Sequence, residues 1–468
     1  MNNHQKAGIA SCASLKSEAT ACSILKELAC SPALQPIVHA LGQAACLHIV
    51  GGTVRDVFLG VKNIDLDLSC VFPPEQSKQL LEKAGLKVVE TGIKHGTLTI
   101  VIDQKHIELT TFRKPNPANE NLYSNSIEED LSGRDFTLNA IAYAVSTNEL
   151  FDPFAGIEAL ASATLKCVGD ALQRFSEDPL RLLRLVRFGP AAGRAVEEHT
   201  LSAANARAST ISDVSPERVR DEIVKILLSP QAAAGFRALL EIGLLEHTIP
   251  ELLAGVGFEQ NEHHIQDVFE HILAIVENCP VDRTLRLAAL FHDIEKPSSL
   301  VVDAEGRRHF YCHEQAGEKT CKQVMKRLKF SNDEIKEVST LVRYHMRPLE
   351  CGPAGVRRLI RDLGDELMTS WLEIKLADAP PLVDRAVIEE RLNNFKHMVD
   401  EEKLRAQGPA YGKLAISGQD LIELGMQPGP ALGEVLKQLE ELVIEDPDKN
   451  EHATLLCYAK DYAKSSLA

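Results

Sequence analysis

Between Gly51 and Asp67 the sequence GGTVRDVFLGVKNIDLD places two glycines, an arginine and two aspartates in close order. Glycine has no Cβ to hold a ligand off the backbone, so Gly51-Gly52 lets N–H groups approach an anion closely. The guanidinium of Arg55 is a donor fork matched to phosphate oxygens. Asp65 and Asp67 lie two apart, and residues so spaced on a strand share a face, so their carboxylates repel unless a cation separates them. Mg2+ suits that place, because it takes a few carboxylates and completes its shell with water and substrate phosphates. In this order the groups describe phosphoryl or nucleotidyl transfer by two metal ions. Singly, the glycines would be a tight turn and the aspartates a solvated strand edge; only the combination specifies chemistry.

The flanking sequence supplies the elements that must hold these groups. The apolar run His48 to Val50 reads as a buried strand that stops at the glycines. A short helix follows, its N-terminus facing whatever the glycines touch, and Leu59-Gly60 closes it before a strand bearing Asp65 and Asp67. Residues 22–45 and 74–84 read as helical, and LKVVET, GTLTIVI and HIELTTF as strands, which implies an α+β head with a mixed sheet and a helix layer. Glu108, in the last run, is a candidate third carboxylate for the metal site. Residues 113–126, with two Pro and four Asn, are a loop. Asp130 or Ser132 is expected to cap a helix whose first turn displays Arg134 and Asp135.

Composition bounds the setting. A chain of 468 residues suggests about three domains, and 44% hydrophobic with 25% charged residues is ordinary for a soluble protein. No apolar stretch approaches the roughly 20 residues of a membrane helix, and the first residues lack the basic and apolar regions of an export signal. Eleven cysteines without CxxC pairs suit a reducing, cytoplasmic setting. A net charge of −16 gives no sign of a non-specific nucleic-acid binder, and no DNA partner is expected. A local basic surface can still coexist with acidic faces, giving modest, salt-sensitive RNA binding.

The wording GGTVRDVFLG followed by DLD resembles the head of the DNA polymerase beta nucleotidyltransferase superfamily, in its bacterial tRNA nucleotidyltransferase and poly(A) polymerase family. The likeness spans about 40 to 465. It implies an N-terminal extension (1–21), a polymerase-beta-like head (22–150), and an all-α remainder made of a neck (151–260), an HD-type domain (261–380) and a helical tail (381–468). The family's second motif usually has two arginines before an aspartate; here Gly133 replaces the first, and Arg134 matches the second and is expected to contact nucleotide. EDPLRLLRLVRF, Glu177 to Phe188, reads as one helix with Asp178, Arg181, Arg184 and Arg187 on a drifting stripe and Leu182, Leu183 and Val186 on the other side. The family keeps its EDxxR motif here. An ionised Asp only accepts hydrogen bonds and an Arg only donates them. Cytosine and adenine present an amino donor beside a ring acceptor, whereas uracil and guanine present a carbonyl beside an N–H. Asp178 with Arg181 therefore suits C and A without a template, and buried unpaired groups make the rejection of U and G strong. SPERVRDEIVKILLS, residues 215–229, resembles a further motif, with Glu217, Arg218, Glu222 and Lys225 supporting the nucleotide helix.

The middle of the chain changes character. Seven of the sixteen histidines fall between His263 and His345, about twice an even share. The order DVFEHIL, LAALFHDIEKP, YCHEQAG, YHM and KLADA resembles an HD-type metal phosphohydrolase, and His271, His292, Asp293 and Asp378 match its ligand positions. Imidazole and carboxylate ligands suit a divalent transition metal such as Mn2+, Ni2+ or Fe2+.

The expected function is template-independent addition of CMP and AMP to the tRNA 3′ end from CTP and ATP. Asp65 and Asp67 would hold Mg2+, Gly52, Arg55 and Arg134 the phosphates and sugar, Asp178 and Arg181 would read the base, and Arg184 and Arg187 would orient it. The short loop between Arg113 and Glu128 lacks the basic pair that CCA-adding relatives often carry, which opens addition of CC alone as the first alternative. A-only addition or poly(A) synthesis comes next. An HD phosphohydrolase acting on RNA ends, with a tRNA-binding head, is the alternative from another class.

Overall fold

The computed structural model describes residues 15–62, 65–92, 96–114, 122–260, 266–379, 383–406 and 414–466. The first residues of the expected extension and residues 115–121 of the loop lie outside them. The chain divides into two compact units, Met1–Leu253 and Ala254–Ala468.

The first unit is built on a seven-stranded sheet formed by β1 (His48–Val50), β2 (Leu66–Cys70), β3 (Lys87–Gly92), β4 (Thr97–Ile102), β5 (Lys105–Thr111), β6 (Ala142–Ala144) and β7 (Leu150–Phe151). Their spatial order is β3-β4-β5-β2-β1-β6-β7. Only β2 and β5 run parallel, pairing Asp67 with Glu108, so the sheet is mixed as expected. The helix Gly52–Leu59 leaves β1 directly and ends at Gly60, whose φ of +71° needs a residue without Cβ. Val50, Phe112, Leu131, Ala140 and Ala142 pack as one buried cluster; a side chain such as Phe112, fully covered, contributes about 2–3 kcal/mol.

Residues 22–45 are largely helical as expected, in the two helices Glu18–Ala29 and Gln35–Leu41. Two expectations about local structure are corrected. The helix after the loop is Ile127–Ser132, capped by Ser126, whose hydroxyl accepts from Glu129 N–H. It ends before Arg134 and Asp135, so neither belongs to its first turn. Glu177 closes the helix Ala171–Glu177, and Asp178 is its extended C-cap (φ −147°, ψ 99°). The arginine helix begins only at Leu180, because Pro179 disfavours helical backbone at the residue before it. The helices Pro216–Leu227 and Ala232–Ile242 flank Ser229-Pro230 as expected.

The second unit is mainly helical, with a small hairpin, Leu300–Val302 against Arg308–Phe310. Its main helices include Val268–Asn278, Arg283–Phe291, His313–Arg327, Asn332–Tyr344 and Pro353–Ala377, the last interrupted at Gly364 (φ +64°). Trp371 is fully buried, donates through Nε1 to the carbonyl of Tyr344 at 2.8 Å and packs on Phe395, which fixes the chain just before His345. The tail contains the helices Arg385–Ala406, Gly418–Glu423, Pro430–Glu445 and His452–Ser466.

Candidate functional site

In the first unit the glycine turn and the aspartates are fastened by one buried hydroxyl. Thr53 Oγ1 donates to the carbonyl of Asp65 and accepts from the N–H of Asp67, both at 2.7 Å. Gly51 has φ +58°, and a Cβ on it would strike the guanidinium of Arg134; a Cβ on Gly52 would lie 3.0 Å from Asp67 Oδ2. Gly51 is required by its positive φ, and Gly52 leaves room for the Asp67 carboxylate. Asp65 stands exposed just ahead of β2, while Asp67 is within it. Burial, then the facing carboxylate of Glu108, pushes the Asp67 carboxyl up to about 6, with Asp65 adding to the effect. Carboxylates that oppose one another's ionisation form a donor set that fits a hard cation such as Mg2+.

The nucleotide-site candidates line one cavity of about 820 Å3, a size proper to a nucleotide. Gly52, Arg55, Asp67, Arg134, Asp178, Arg181, Arg184 and Arg187 all contribute to its wall; Asp65 does not. Eight arginines and one lysine face five carboxylates there, a cationic excess inside a chain of net charge −16.

The arginines expected to bind nucleotide are each held by a carboxylate or carbonyl. Asp135, buried, accepts from Arg184 Nε at 2.6 Å, from Asn139 Nδ2 at 3.0 Å and from its neighbour's N–H, Phe136, at 2.8 Å. Burial opposes ionisation of Asp135, but Arg184 and these donors outweigh it and hold the carboxyl below its usual range. Asn139 also accepts from Arg55 Nη1 at 2.7 Å, so an unbroken chain of hydrogen bonds joins the glycine helix to the arginine helix. Arg187 pairs with buried Glu222 at 2.9 Å, and burial lowers its guanidinium to about 10. Arg55, Arg184 and Arg187 all stand over the Phe188 ring, 4.9, 5.2 and 4.1 Å from its centroid.

Asp178 Oδ1 accepts from Leu180 N–H at 3.2 Å and Oδ2 from Arg218 at 2.9 Å. Arg181 donates to Glu177, to the carbonyl of Arg174 and to that of Gly133. Arg134 is bound to buried Asp130, which also accepts from Arg113 N–H. Asn139, Asp130 and Phe188 were not singled out as functional in the sequence; Asp130 pairs locally with Arg134 four residues on, whereas Asn139 and Phe188 meet Arg55 across the fold, which no local spacing announces.

The second unit gathers its predicted ligands as well. His271 Nε2 lies 3.2 Å from Asp293 Oδ2 and 3.2 Å from Asp378 Oδ1, and His292 Nε2 lies 3.1 Å from Asp293 Oδ2. Burial works against a proton on His271, yet Asp293 and Asp378 raise its imidazolium to about 9. The donor set, imidazole with carboxylate, fits a transition metal. His313 and His345, not assigned as ligands from sequence, sit on the other oxygen of Asp293, at 3.2 and 3.5 Å. Lys296, also unassigned, reaches Asp293 Oδ2 at 2.6 Å and Gln260 Oε1 at 2.9 Å.

A polymerase-beta-type head continuing into helices is the architecture of a nucleotidyltransferase, and residues 47–166 match the model of the poly A polymerase head domain. Residues 195–255 match that of a probable RNA and SrmB-binding site of polymerase A, and 308–459 a putative domain 2 of tRNA nucleotidyltransferase. The A-adding tRNA nucleotidyltransferase of Deinococcus radiodurans is 32% identical over 84% of this chain and 90% of its own. The CCA-adding enzyme of Enterococcus faecalis is 29% identical over 91% and 94%. The crystal structure of the Bacillus stearothermophilus CCA-adding enzyme in complex with CTP aligns with a TM-score of 0.67 at 26% identity, over 93% of this chain and 99% of that one. The chain belongs to the tRNA nucleotidyltransferase family. No helix among its described residues is long and apolar enough to cross a membrane.

Proposed function

We propose that the chain completes the 3′ end of tRNA, adding CMP and AMP from CTP and ATP without a template. The observation that carries this reading is one cationic cavity shared by the base-reading pair Asp178 and Arg181, the glycine helix and Asp67. Mg2+ at Asp65 and Asp67, with Glu108 beside them, would supply the positive charge that draws the attacking 3′ hydroxyl and the triphosphate together. Gly52 keeps the backbone open to phosphate, and Arg55, Arg134, Arg184 and Arg187 bind phosphate and sugar oxygens. Asp178 accepts from the amino group of C or A while Arg181 donates to the adjacent ring nitrogen, so U and G meet like against like. Catalysis rests on positioning and charge, with no covalent intermediate on the enzyme. Residues 22–150 would serve as head and 151–260 as neck, and ten described cysteines, all free thiols, suit the cytoplasm.

Incorporation of each nucleotide, supplied singly with Mg2+ and a tRNA transcript, tests the reading: CMP or AMP is expected to enter according to the end offered. Equal use of UTP and GTP would remove Asp178 and Arg181 from base selection, and no incorporation would end the proposal.

A second specificity, addition of A alone, is favoured by the 32% identity to an A-adding relative. In residues 261–380 we further propose an HD-type centre, with a divalent transition metal held by His271, His292, Asp293 and Asp378, that hydrolyses phosphoester ends of RNA. Their convergence within hydrogen-bond distances favours it. The helical tail, 381–468, would follow it.

A further inference from the structure

Seven of the eight arginines that line the nucleotide cavity rest on an acceptor of the fold. The eighth is Arg113. Among the described residues its guanidinium has no hydrogen bond or ion pair, and neither has the ammonium of Lys114, which lines the same wall.

The backbone under these two cations is nonetheless tightly held. Arg113 bridges antiparallel to Tyr123, Lys114 N–H donates to the carbonyl of Leu122 at 3.0 Å, and Ser124 N–H donates to that of Phe112 at 2.8 Å. Asp130 Oδ1 accepts from Arg113 N–H at 3.0 Å, while its Oδ2 accepts from Arg134 Nη2, also at 3.0 Å. Both oxygens of this buried carboxylate are thereby engaged. Asp130 fixes where the Arg113 side chain starts and leaves the guanidinium itself unpaired. The cavity wall desolvates that guanidinium and holds it below its usual range; Asp130 opposes the effect, and the nearby charges of Arg134 and Arg181 add to it. Three cations gathered around one committed carboxylate make a place for an anion from outside.

Depth in the cavity decides which anion. Asp135 and Arg174 are buried at its floor, whereas Arg113, Lys114 and Leu122 are exposed and so stand at its open edge. A triphosphate belongs inside, with Gly52, Arg55, Arg184 and Arg187. An RNA strand brings only its end in and must cross the edge to do so. Arg113 follows β5, the strand that sets Glu108 opposite Asp67. A 3′ hydroxyl directed at Asp67 trails its last phosphodiester one nucleotide behind, toward the exposed cations.

We propose that Arg113 grips the last phosphodiester of the RNA 3′ end, with the Lys114 charge beside it, and so directs the terminal hydroxyl toward Asp67. The inference rests on the nucleotide-addition reading given above. A guanidinium can hold two phosphate oxygens at once and thereby set the angle of the strand, whereas an ammonium acts as a point charge. Arg113 is free to take that anion because no resident acceptor among the described residues competes for it.

The test uses the full-length chain with Mg2+, CTP and ATP, and tRNAs assembled by ligation whose last linkage is either the natural phosphodiester or an uncharged methylphosphonate. Loss of that charge is expected to raise KM for tRNA by about tenfold in the parent, the scale of a charged hydrogen bond. Arg113→Gln should show the same loss on the natural linkage and little further loss on the uncharged one, with KM for nucleotide within about twofold of the parent. Losses that simply multiply, or a rise in KM for nucleotide in place of that for tRNA, would overturn the proposal. Undiminished use of the uncharged linkage by the parent would overturn it too, without any variant having to fold. Failure of the parent to extend the natural tRNA would instead strike the nucleotide-addition reading, and this contact with it.

Discussion

The arginine cavity of the first unit and the imidazole–carboxylate cluster of the second handle charge in opposite ways. In the cavity seven of the eight arginines rest on a resident acceptor, among them Arg184 on Asp135, Arg187 on Glu222, Arg134 on Asp130 and Arg218 on Asp178. In the cluster the acceptors face one another, Nε2 against Nε2 and both against Asp293 Oδ1. The difference teaches what each place is for. A site whose anionic ligand must enter and leave keeps its cations ordered by internal counter-charges in the meantime. On the proposed reading of the cluster, a site for a resident cation leaves acceptors facing one another, apart from the Lys296 ammonium on Asp293 Oδ2.

The comparison breaks most sharply at Asp67. Asp67→Ala is expected to reduce nucleotide addition by roughly 1,000-fold, about 4 kcal/mol of transition-state stabilisation. Mn2+ uptake by the second unit should not change; a parallel loss of both would mean that the two places do not act separately. Asp135→Asn comes next, with a loss of roughly 2 kcal/mol in denaturant unfolding. That is less than a fully buried pair would cost, since Arg184 keeps 32% of its side chain exposed. Because the fold holds the Asp135 carboxyl below its usual range, its contribution is complete at neutral pH and is lost as the pH falls below about 4. The Asn variant should therefore lose less stability on acidification than the parent, and identical acid limbs would contradict the role given to Asp135.

Asp178→Asn sharpens the account of base reading. An amide can donate as well as accept, so preference for CTP over UTP should fall by about 10–100-fold in single-turnover incorporation. Unchanged preference would remove Asp178 from selection. The smallest effect is expected from Glu222→Gln, which keeps the packing but removes the counter-charge of Arg187. KM for nucleotide should change by about two- to fivefold with kcat nearly constant, a fraction of a kcal/mol; a collapse of kcat instead would make Glu222 part of the chemistry.

The candidate site was legible where chemistry is local. Gly51-Gly52, Arg55 and Asp67 lie within one strand-helix-strand segment, so periodicity and residue type placed them, whereas Asp65, expected on the strand, stands just ahead of it. The extent of the arginine helix was misread because its apolar and basic spacing runs back through Asp178, and the effect of Pro179 on that residue outweighs the pattern. Arg134 and Asp135 were placed on a helix that Ser126 starts earlier and that ends before them. Asn139, which links Arg55 to Asp135, is an ordinary residue in NAIA until the sheet brings it beside the glycine helix. His313 and His345 belonged to recognised segments, but their convergence on one oxygen of Asp293 is a property of where three elements end, which sequence spacing does not encode.

The most direct measurement is extension of three tRNA transcripts, ending at the discriminator, at C and at CC, with CTP and ATP and Mg2+, resolved at single-nucleotide length. Growth of the first transcript by three residues is the predicted result. Arrest after two, or extension of the CC transcript alone, would narrow the enzyme to CC or A addition within the same family. No growth of any transcript would contradict the reading of the arginine cavity as a nucleotide-transfer site.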